Sequence, residues 1–372
     1  PSLLQRIRGI DALVGVNNRD DIVRAVRGNG RRRAKRSPDV FLGAYHPFVQ
    51  LDTARLRLTP RHYAYLRISE GCDQKCTFCT IPSIRGRMHC KPPDVVLAEA
   101  RELIADGASE LILIGQDTSS YGEGDFPFEV KLDGLLRRLD ALDGVRWIRL
   151  MYVYPTAITD ALIDALAECD RVCKYIDMPL QHINDRILKA MHRRITRAET
   201  EAVLAKLRER IPNLTLRTTM MVGFPGETEA EFAELVDFVR AFRFDALGTF
   251  AFSREPGTPA DRMADQIPEA VKRERVAALM EVQREAAFQR AREWIGRSFE
   301  VVVDGRDDSG TCIARHQGQA PEVDGVTKLP GVEVEPGSVL TVRCVNHENY
   351  DLVARSLETP LPLHPSSGPV SA

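Results

Sequence analysis

Three cysteines within eight residues form the group of side chains best suited to chemistry. Cys72, Cys76 and Cys79 follow the spacing C-x3-C-x2-C on one loop. Three thiolates so arranged suit a [4Fe–4S] cluster, and three ligands for four irons leave one iron open to the amine and carboxylate of a small molecule. A zinc site with His89 or Cys90 as fourth ligand is the alternative, although zinc usually adds a distant C-x2-C pair and none stands out here.

The segments around this loop predict a parallel sheet that would position it. Apolar runs bounded by turns cover 63–68, 111–114, 147–153, 175–178, 214–222 and 246–252, and helical patterns between them cover 94–106, 159–168, 197–210 and 228–242. Such alternation predicts βα units, with Asp94 capping the first of these helices and Gly107 following its end. Six units, against eight in a closed TIM barrel, predict an α/β fold with a partial (βα)6 barrel whose chemistry lies at the carboxyl ends of the strands.

After a long charged helix at 268–292 the periodicity changes. Short alternating strands are predicted at 299–303, 311–314, 323–327, 339–345 and 350–354. Five strands in so short a stretch predict a small antiparallel β-barrel. Residues 359–372 contain four prolines and no charged residue, which predicts disorder.

The overall net charge of −2 conceals an uneven distribution. Residues 1–58 carry 12 Lys and Arg against 5 Asp and Glu, whereas residues 293–358 carry 6 against 12. Residues 1–30 show only a strand at 12–16 and a short helix at 20–26, too little to bury a core of their own, and the basic run at 31–36 predicts a solvated linker.

No apolar run approaches the ~18 residues of a membrane helix, and the start of the chain is unlike a signal peptide, so we expect a cytoplasmic protein.

Several blocks resemble the methylthiotransferases of the radical S-adenosylmethionine (radical SAM) family. They are Ser69–Cys72, Cys79–Gly86, Gly115–Gly122, Pro179–His182, Val222–Thr228 and Gly257–Ala260, and the C-terminal module resembles the OB-like TRAM domain of that family. The resemblance covers about residues 10–358. It implies a radical SAM core at 59–292 and a TRAM domain at 293–358.

Two branches of that family compete. Asp117–Gly122, Gln181–His182, Ala320–Gly325 and Tyr350–Leu352 resemble the branch that adds a methylthio group to the β-carbon of an aspartate in a small-subunit ribosomal protein. The other branch modifies an adenosine in tRNA. The acidic module favours the first, because it would attract a basic ribosomal protein and repel RNA phosphates. A non-catalytic iron–sulfur or RNA-binding module is the alternative from another class.

The resemblance implies that Cys72, Cys76 and Cys79 hold the [4Fe–4S] cluster. The open iron would bind S-adenosylmethionine, and reductive cleavage of this cofactor would give a deoxyadenosyl radical that abstracts hydrogen from the substrate carbon. A second S-adenosylmethionine would supply the methyl group. The implied electron donor is a flavodoxin or a ferredoxin, and the enzyme would be a transferase of sulfur-containing groups.

Other residues are candidates for the cofactor site, and none is assigned as catalytic. Phe78 would shield the cluster or only pack against its neighbours. Gln116 and Asp117 would meet the cofactor's amine or simply form a βα turn. Arg217 would pair with the cofactor's carboxylate or form a structural salt bridge. The turn at 223–227 would approach adenine or only connect a strand to a helix. The remaining cysteines are predicted to be structural: Cys90, Cys169, Cys173, Cys312 and Cys344.

The sequence departs from the family at one point. The family has an N-terminal domain with three cysteines that hold a second [4Fe–4S] cluster, and here no cysteine precedes Cys72. Residues 1–58 are therefore predicted to be a remnant of that domain followed by the basic linker. The resemblance implies one cluster and cleavage of S-adenosylmethionine for this form, and it does not imply full methylthiolation.

Overall fold

The computed structural model describes residues 2–29, 38–43, 51–124 and 127–357. The N-terminal segment contains α1 (Ser2–Arg6), β1 (Ala12–Val14), α2 (Ile22–Asn29) and β2 (Asp39–Phe41). Strands β1 and β2 pair in parallel, and the predicted strand and helix of this segment are both present. The segment reaches the rest of the molecule through Arg19, whose guanidinium lies 2.9 Å from the Glu70 carboxylate. The basic run at 31–36 and the tail at 359–372 lie outside the described residues.

Six parallel strands form the sheet that the alternating pattern predicts. The strands of this region are β3 (Tyr63–Arg67), β4 (Ser69–Glu70), β5 (His89–Cys90), β6 (Glu110–Ile114), β7 (Trp147–Leu150), β8 (Val172–Asp177), β9 (Thr215–Val222) and β10 (Ala246–Ala251). The sheet has the order β10-β9-β8-β7-β6-β3, while β4 and β5 form a separate antiparallel pair. The predicted partial (βα)6 architecture is therefore confirmed, with β3 and β10 at its two edges.

Helices follow the strands and pack on one face of the sheet. They are α3 (Ile81–Arg85), α4 (Pro93–Ala105), α5 (Leu132–Asp140), α6 (Asp160–Glu168), α7 (Asp185–Ala190), α8 (Arg197–Arg210), α9 (Glu229–Phe242) and α10 (Glu269–Trp294). The prediction that Asp94 caps α4 is wrong. The N-cap is Pro92, because the prolines at 92 and 93 begin the helix two residues earlier, and Asp94 lies in the first turn. Gly107 follows the helix end with a left-handed φ of +96°, as predicted.

The two faces of the sheet have different partners because alternate strand residues point to opposite sides. Leu66, Leu113 and Leu150 belong to the main core beneath the helices. On the other, inner face, Tyr63 and Tyr175 join a cluster that includes residues of the C-terminal module. The C-terminal module thus packs against part of the inner face of the sheet.

The C-terminal module is a closed five-stranded barrel, here called the C-terminal barrel. It consists of β11 (Ser298–Arg306), β12 (Cys312–Arg315), β13 (Thr327–Leu329), β14 (Val339–Glu348) and β15 (Asp351–Ser356). The strand predicted at 323–327 is wrong in position, because residues 320–325 form a turn in which Asp324 accepts a hydrogen bond from the Ala320 amide. The expectation of a wholly antiparallel barrel also needs correction, since β13 pairs with β15 in parallel.

A buried polar cluster seals the amino ends of the strands against the C-terminal barrel, and we call it the amino-end network. Glu110 accepts hydrogen bonds from Arg149 Nε at 2.7 Å and from Arg315 Nη2 at 2.9 Å. Asp304 accepts from Arg315 Nε at 2.6 Å and lies 2.8 Å from His62 Nε2. Burial alone would raise the pKa of Glu110, but the charges of Arg149 and Arg315 lower it below its usual value.

Across the described ranges, the structure contains no helix with the length and apolar character needed to cross a membrane.

Candidate functional site

The loop that follows β3 and β4 carries the three clustered cysteines. Gly71 begins it with a left-handed φ of +80°, and a Cβ there would lie 2.1 Å from the Arg87 carbonyl oxygen, so only glycine fits. The loop is anchored at its middle by Thr77, whose amide donates to the Met191 carbonyl at 3.0 Å. These contacts fix the backbone at the carboxyl edge of the sheet, where parallel α/β sheets place their chemistry.

All three cysteines line one cavity of about 170 Å³. Its wall is mainly apolar and aromatic, with a few polar groups that converge on the thiols. The lining residues are Cys72, Gln74, Cys76, Phe78, Cys79, Ile81, Gln116, Asp117, Tyr152, Val153, Tyr154, Pro179, Gln181 and Arg193. The structure therefore brings together six of the seven predicted site residues, which come from the cysteine loop and from the loop after β6. The segments after β7 and β8 complete the wall.

The thiols are partly withdrawn from water, and this affects their ionisation. Burial raises the pKa of Cys72 to about 12, and it also raises the pKa of Cys79. Thiols that resist ionisation in this way become thiolate ligands when a cation compensates their charge. Cys79 Sγ accepts a hydrogen bond from the Ile81 amide at 3.4 Å, and Cys76 Sγ from Arg193 at 3.8 Å.

The donor set fits an iron–sulfur cluster better than a single metal ion. Among the described residues, no three His, Cys, Asp or Glu side chains converge as ligands of one ion would. Four ligands on one zinc at Zn–S distances of about 2.3 Å must crowd together, whereas cluster ligands bind separate irons. Cys90 does not supply a fourth ligand, since its Sγ accepts from the Gly122 amide at 3.4 Å and it does not line the cavity. N–H donors aimed at sulfur also suit a cluster.

Gln116 and Asp117 both line the cavity, but each is engaged with the protein. The side-chain oxygen of Gln116 accepts from the Gly71 amide at 2.7 Å and so ties β6 to the cysteine loop. Asp117 is buried and accepts from Gln74, Ser119 and Ser120. Phe78 lines the cavity and packs against the apolar cluster around α7. In the described structure Gln116 and Asp117 thus shape the wall of the cavity.

Arg217 is placed differently from the prediction that it meets the cofactor. Its Nη1 donates to Asp177 Oδ1 at 2.6 Å and its Nε lies 3.3 Å from Asp324 Oδ1 of the C-terminal barrel. It lines a cavity between β9, α10 and that barrel, and not the cysteine cavity. The structural salt bridge, which was the alternative for this residue, is the arrangement that forms, because the carboxylates of Asp177 and Asp324 flank the partly buried Arg217 side chain.

The turn at 223–227 is a structural connection in this fold. Gly223 has a left-handed φ of +72°, and a Cβ there would lie 2.4 Å from Lys272 Cγ. Glu227 is buried, accepts from the Gly223 amide and pairs with Arg275 at 3.2 Å. Neither residue lines the cysteine cavity. The Gly223 amide and Arg275 both contact Glu227 Oε2, whereas Oε1 has no hydrogen-bond partner within the described residues.

Eight of the fourteen residues that line the cavity were not among the predicted site residues, and three of them have unusual features. Tyr152 and Gln181 have left-handed backbones, with φ of +60° and +75°, which is rare for residues with a Cβ and is concentrated at functional sites. Arg193 is 7% exposed, and its Nε has no hydrogen-bond partner within the described part of the chain. Gln181 lies in the family-like block Pro179–His182, whereas no sequence signal marks Tyr152 or Arg193 except a position just after a strand or before a helix cap.

The other five cysteines are buried, as predicted, and lie away from the cavity. Cys90, Cys169, Cys173, Cys312 and Cys344 are free thiols with exposures of 9% or less. They fill the cores of the sheet and of the C-terminal barrel. Their role is packing.

Comparison with known proteins agrees with this architecture. Residues 66–239 match the model of the Radical SAM superfamily, and residues 295–357 match the TRAM domain. Radical SAM membership implies a [4Fe–4S] cluster and S-adenosylmethionine. The chain is 38% identical to the ribosomal protein uS12 methylthiotransferase RimO of Desulfitobacterium hafniense over 96% of its length and 79% of that protein. It is 42% identical to the protein of the same name from an Anaeromyxobacter species (strain K), over 99% of its length and 79% of the relative. This chain therefore belongs to the RimO family of radical SAM methylthiotransferases.

Proposed function

We propose that this chain cleaves S-adenosylmethionine at a [4Fe–4S] cluster held by Cys72, Cys76 and Cys79. We propose further that it serves the addition of a methylthio group to the β-carbon of an aspartate in ribosomal protein uS12. The observation that carries the first part is the single cavity in which the three thiols face Gln116 and Asp117 at the carboxyl ends of the strands. The second part rests on relatives that are named for this activity.

The chain's own residues provide binding, orientation and exclusion of water. The three thiolates hold the cluster, and the Gln116 side chain keeps their loop in place through the Gly71 amide. Arg193 donates toward Cys76 Sγ and lies over the Tyr154 ring at 4.1 Å. When bound, the cluster and S-adenosylmethionine supply the radical chemistry, which the amino acids themselves cannot perform. Phe78 and Tyr154 cover the apolar side of the cavity, which limits quenching by solvent.

The structure weakens one argument for a protein substrate. Several carboxylates that make the C-terminal barrel acidic face the parallel-sheet unit: Glu300 pairs with Arg146, Asp304 with His62, and Asp324 with Arg217. These charges are largely compensated within the molecule, so the field that would repel RNA is smaller than the sequence count suggests. The choice of uS12 over tRNA therefore rests on the relatives. A ribosomal substrate would place the enzyme in the cytoplasm, and we propose flavodoxin or ferredoxin as its electron donor.

Anaerobic reconstitution with iron and sulfide tests the cofactor site. We expect about four irons per chain and reductant-dependent formation of 5′-deoxyadenosine from S-adenosylmethionine. Cys76→Ala should lose most of the iron and nearly all of the cleavage, whereas Cys312→Ala, a buried cysteine of the C-terminal barrel, should keep both. One bound zinc in place of iron, or cleavage that survives Cys76→Ala, would contradict the proposal.

A second experiment tests the substrate. The reconstituted protein is offered purified uS12 or an unmodified tRNA at physiological salt, and both binding and any methylthio mass increment are measured on each. Binding or modification of the tRNA with no effect on uS12 would assign the chain to the tRNA branch. Deoxyadenosine formation is measured in the same samples, so that failure of the substrate assignment is distinguished from failure of the cofactor site.

A further inference from the structure

Tyr152 occupies an unusual conformation between two openings of the site. Its φ of +60° lies in the left-handed region, which disfavours a bulky side chain. Tyr152 lines the cysteine cavity and also a wider opening that is lined by Tyr65, Arg67 and Ile114. Tyr152 thus stands in the wall that separates the cofactor cavity from the inner face of the sheet.

The backbone of Tyr152 is held on both sides. Its amide donates to Asp177 Oδ2 at 3.3 Å, and its carbonyl accepts from the Thr118 amide at 3.1 Å and from the Thr118 hydroxyl at 3.2 Å. A strained backbone persists only where its surroundings over-determine it. Asp177, the last residue of β8, is fully buried and supplies the contact to the amide.

Asp177 is itself held by contacts that extend from the cavity to the C-terminal barrel. Its Oδ1 accepts from Arg217 Nη1 at 2.6 Å, and Arg217 Nε lies 3.3 Å from Asp324 Oδ1 in the C-terminal barrel. Asp324 is fixed through its second oxygen, which accepts from the Tyr175 hydroxyl at 2.8 Å. Within the described residues Asp324 Oδ1 receives no hydrogen bond, so Arg217 is the group that compensates it.

We propose that Asp324, Arg217 and Asp177 form a positioning relay. The relay holds Tyr152 in its left-handed conformation, and the C-terminal barrel thereby acts on the wall of the cofactor cavity. Asp177 and Arg217 are positioning residues, because they act through the backbone of Tyr152. The inference rests on the proposed function in so far as that function puts a cofactor beside Tyr152.

The relay should affect how tightly cleavage of S-adenosylmethionine is coupled to reaction with the substrate. If Tyr152 leaves the wall, the cofactor cavity opens toward the inner face of the sheet and admits water. Cleavage of S-adenosylmethionine would then continue with less transfer to the substrate, because exclusion of solvent protects reactive intermediates. A weakened relay should therefore raise the ratio of deoxyadenosine formed to product formed.

Hydrogen–deuterium exchange on the cluster-free full chain tests the relay without depending on activity. In Arg217→Met and Asp324→Asn the amides of Tyr152 and Thr118, followed in peptides that contain them, should exchange about tenfold faster. Arg217→Lys keeps the charge and should restore most of the protection. Arg146→Met is the matched control, because Arg146 also pairs across the same two units, with Glu300, but lies outside the relay. It should leave both amides unchanged.

Two results would separate the relay from the proposed function. Unchanged exchange at Tyr152 in both Arg217→Met and Asp324→Asn, in variants whose melting temperature shows that they fold, overturns the relay. Faster exchange in a protein that never forms deoxyadenosine leaves the relay standing and removes the proposed function. In the reconstituted enzyme, Arg217→Met should also raise the ratio of deoxyadenosine formed to hydrogen abstracted from uS12 several-fold, and a ratio equal to that of the Arg146→Met control counts against the relay.

Discussion

The two ends of the parallel sheet differ in how their polar side chains are hydrogen-bonded and in whether the backbone is strained. At the amino ends both oxygens of Glu110 and of Asp304 accept hydrogen bonds, and the bond from Arg315 to Glu110 crosses the boundary with the C-terminal barrel. Within this network Arg149 Nη2 is the one buried atom that has no partner in the described residues. At the carboxyl ends Arg193 keeps a buried donor without a partner in the described chain, and Tyr152 keeps a strained backbone. Satisfied buried networks stabilise and specify a fold, whereas unsatisfied groups and strain are costly and are retained where a ligand uses them. The amino ends are thus the structural end of the sheet and the carboxyl ends the functional one.

The largest effect on stability is expected at the amino-end network. Arg315→Met removes the guanidinium shared by the buried Glu110 and the partly buried Asp304. Breaking a buried pair such as Arg315–Glu110 costs about 3–5 kcal/mol. Denaturant unfolding should show this loss, while deoxyadenosine formed per folded chain stays unchanged. A loss below about 1 kcal/mol would mean that the network does not hold the two units together.

The carboxyl-end counterpart is Arg193→Met. A charge-assisted hydrogen bond contributes about 1.5–3 kcal/mol, so cleavage of S-adenosylmethionine should fall by about ten- to a hundredfold. The unfolding free energy should change much less than in Arg315→Met. Arg194→Met is the matched control, since the neighbouring side chain is exposed, and it should cleave at the parental rate. A reversed order of the two variants in the cleavage assay would break the comparison between the two ends.

The pH dependence of stability sharpens the comparison. Burial lowers the pKa of His316 to about 3, and its Nδ1 accepts from the Gly318 amide at 2.9 Å. The unfolded chain binds a proton near pH 6.5 and the folded chain only near pH 3, so stability is lost as pH falls between these values. At about 1.36 kcal/mol per pH unit, the fall from pH 7 to pH 5 should cost about 2 kcal/mol. His316→Gln should lose this portion of the dependence in denaturant titrations at the two pH values, and an unchanged slope would show that His316 titrates normally.

The smallest effect is expected for an exposed pair across the same boundary. Arg146 Nε lies 3.0 Å from Glu300 Oε1, and the two side chains are 35% and 44% exposed. Exposed pairs contribute about 0–1 kcal/mol, so Glu300→Gln should shift the unfolding free energy by less than about 1 kcal/mol. High salt should remove even this shift. A cost similar to that of Arg315→Met would show that burial is not what distinguishes the amino-end network.

The sequence pattern was sufficient to predict the six-stranded sheet and the loop that carries the three clustered cysteines. Helices at 197–210 and 228–242 were predicted to within a residue because Thr196 and Thr228 form capping boxes that the sequence displays. The cysteine loop was predictable because its three cysteines are close together in sequence. The strand expected at 323–327 was not, because Asp324 is drawn into a turn by contacts with Tyr175 and Arg217, which lie more than a hundred residues earlier.

The same reason explains what was missed or misplaced in the site. Arg217 is a strand residue whose partner could be a cofactor or a carboxylate, and only the fold shows that Asp177 and Asp324 flank it. Tyr152 carries no local signal, since its left-handed φ is imposed by Asp177 and Thr118 from neighbouring strands. Residues whose role depends on tertiary contacts are therefore the ones that pattern analysis could not assign.

The pair formed by Arg315 and Glu110 joins residues 205 positions apart. During synthesis on the ribosome, the six strands are therefore complete long before the arginine that closes their amino ends has been added. Until then Glu110 and Arg149 form an open, polar face, and contacts of such long range are slow to establish. We expect the parallel-sheet unit to remain a partly ordered folding intermediate during translation, and to become fully cooperative only when β12 has left the ribosome and docked.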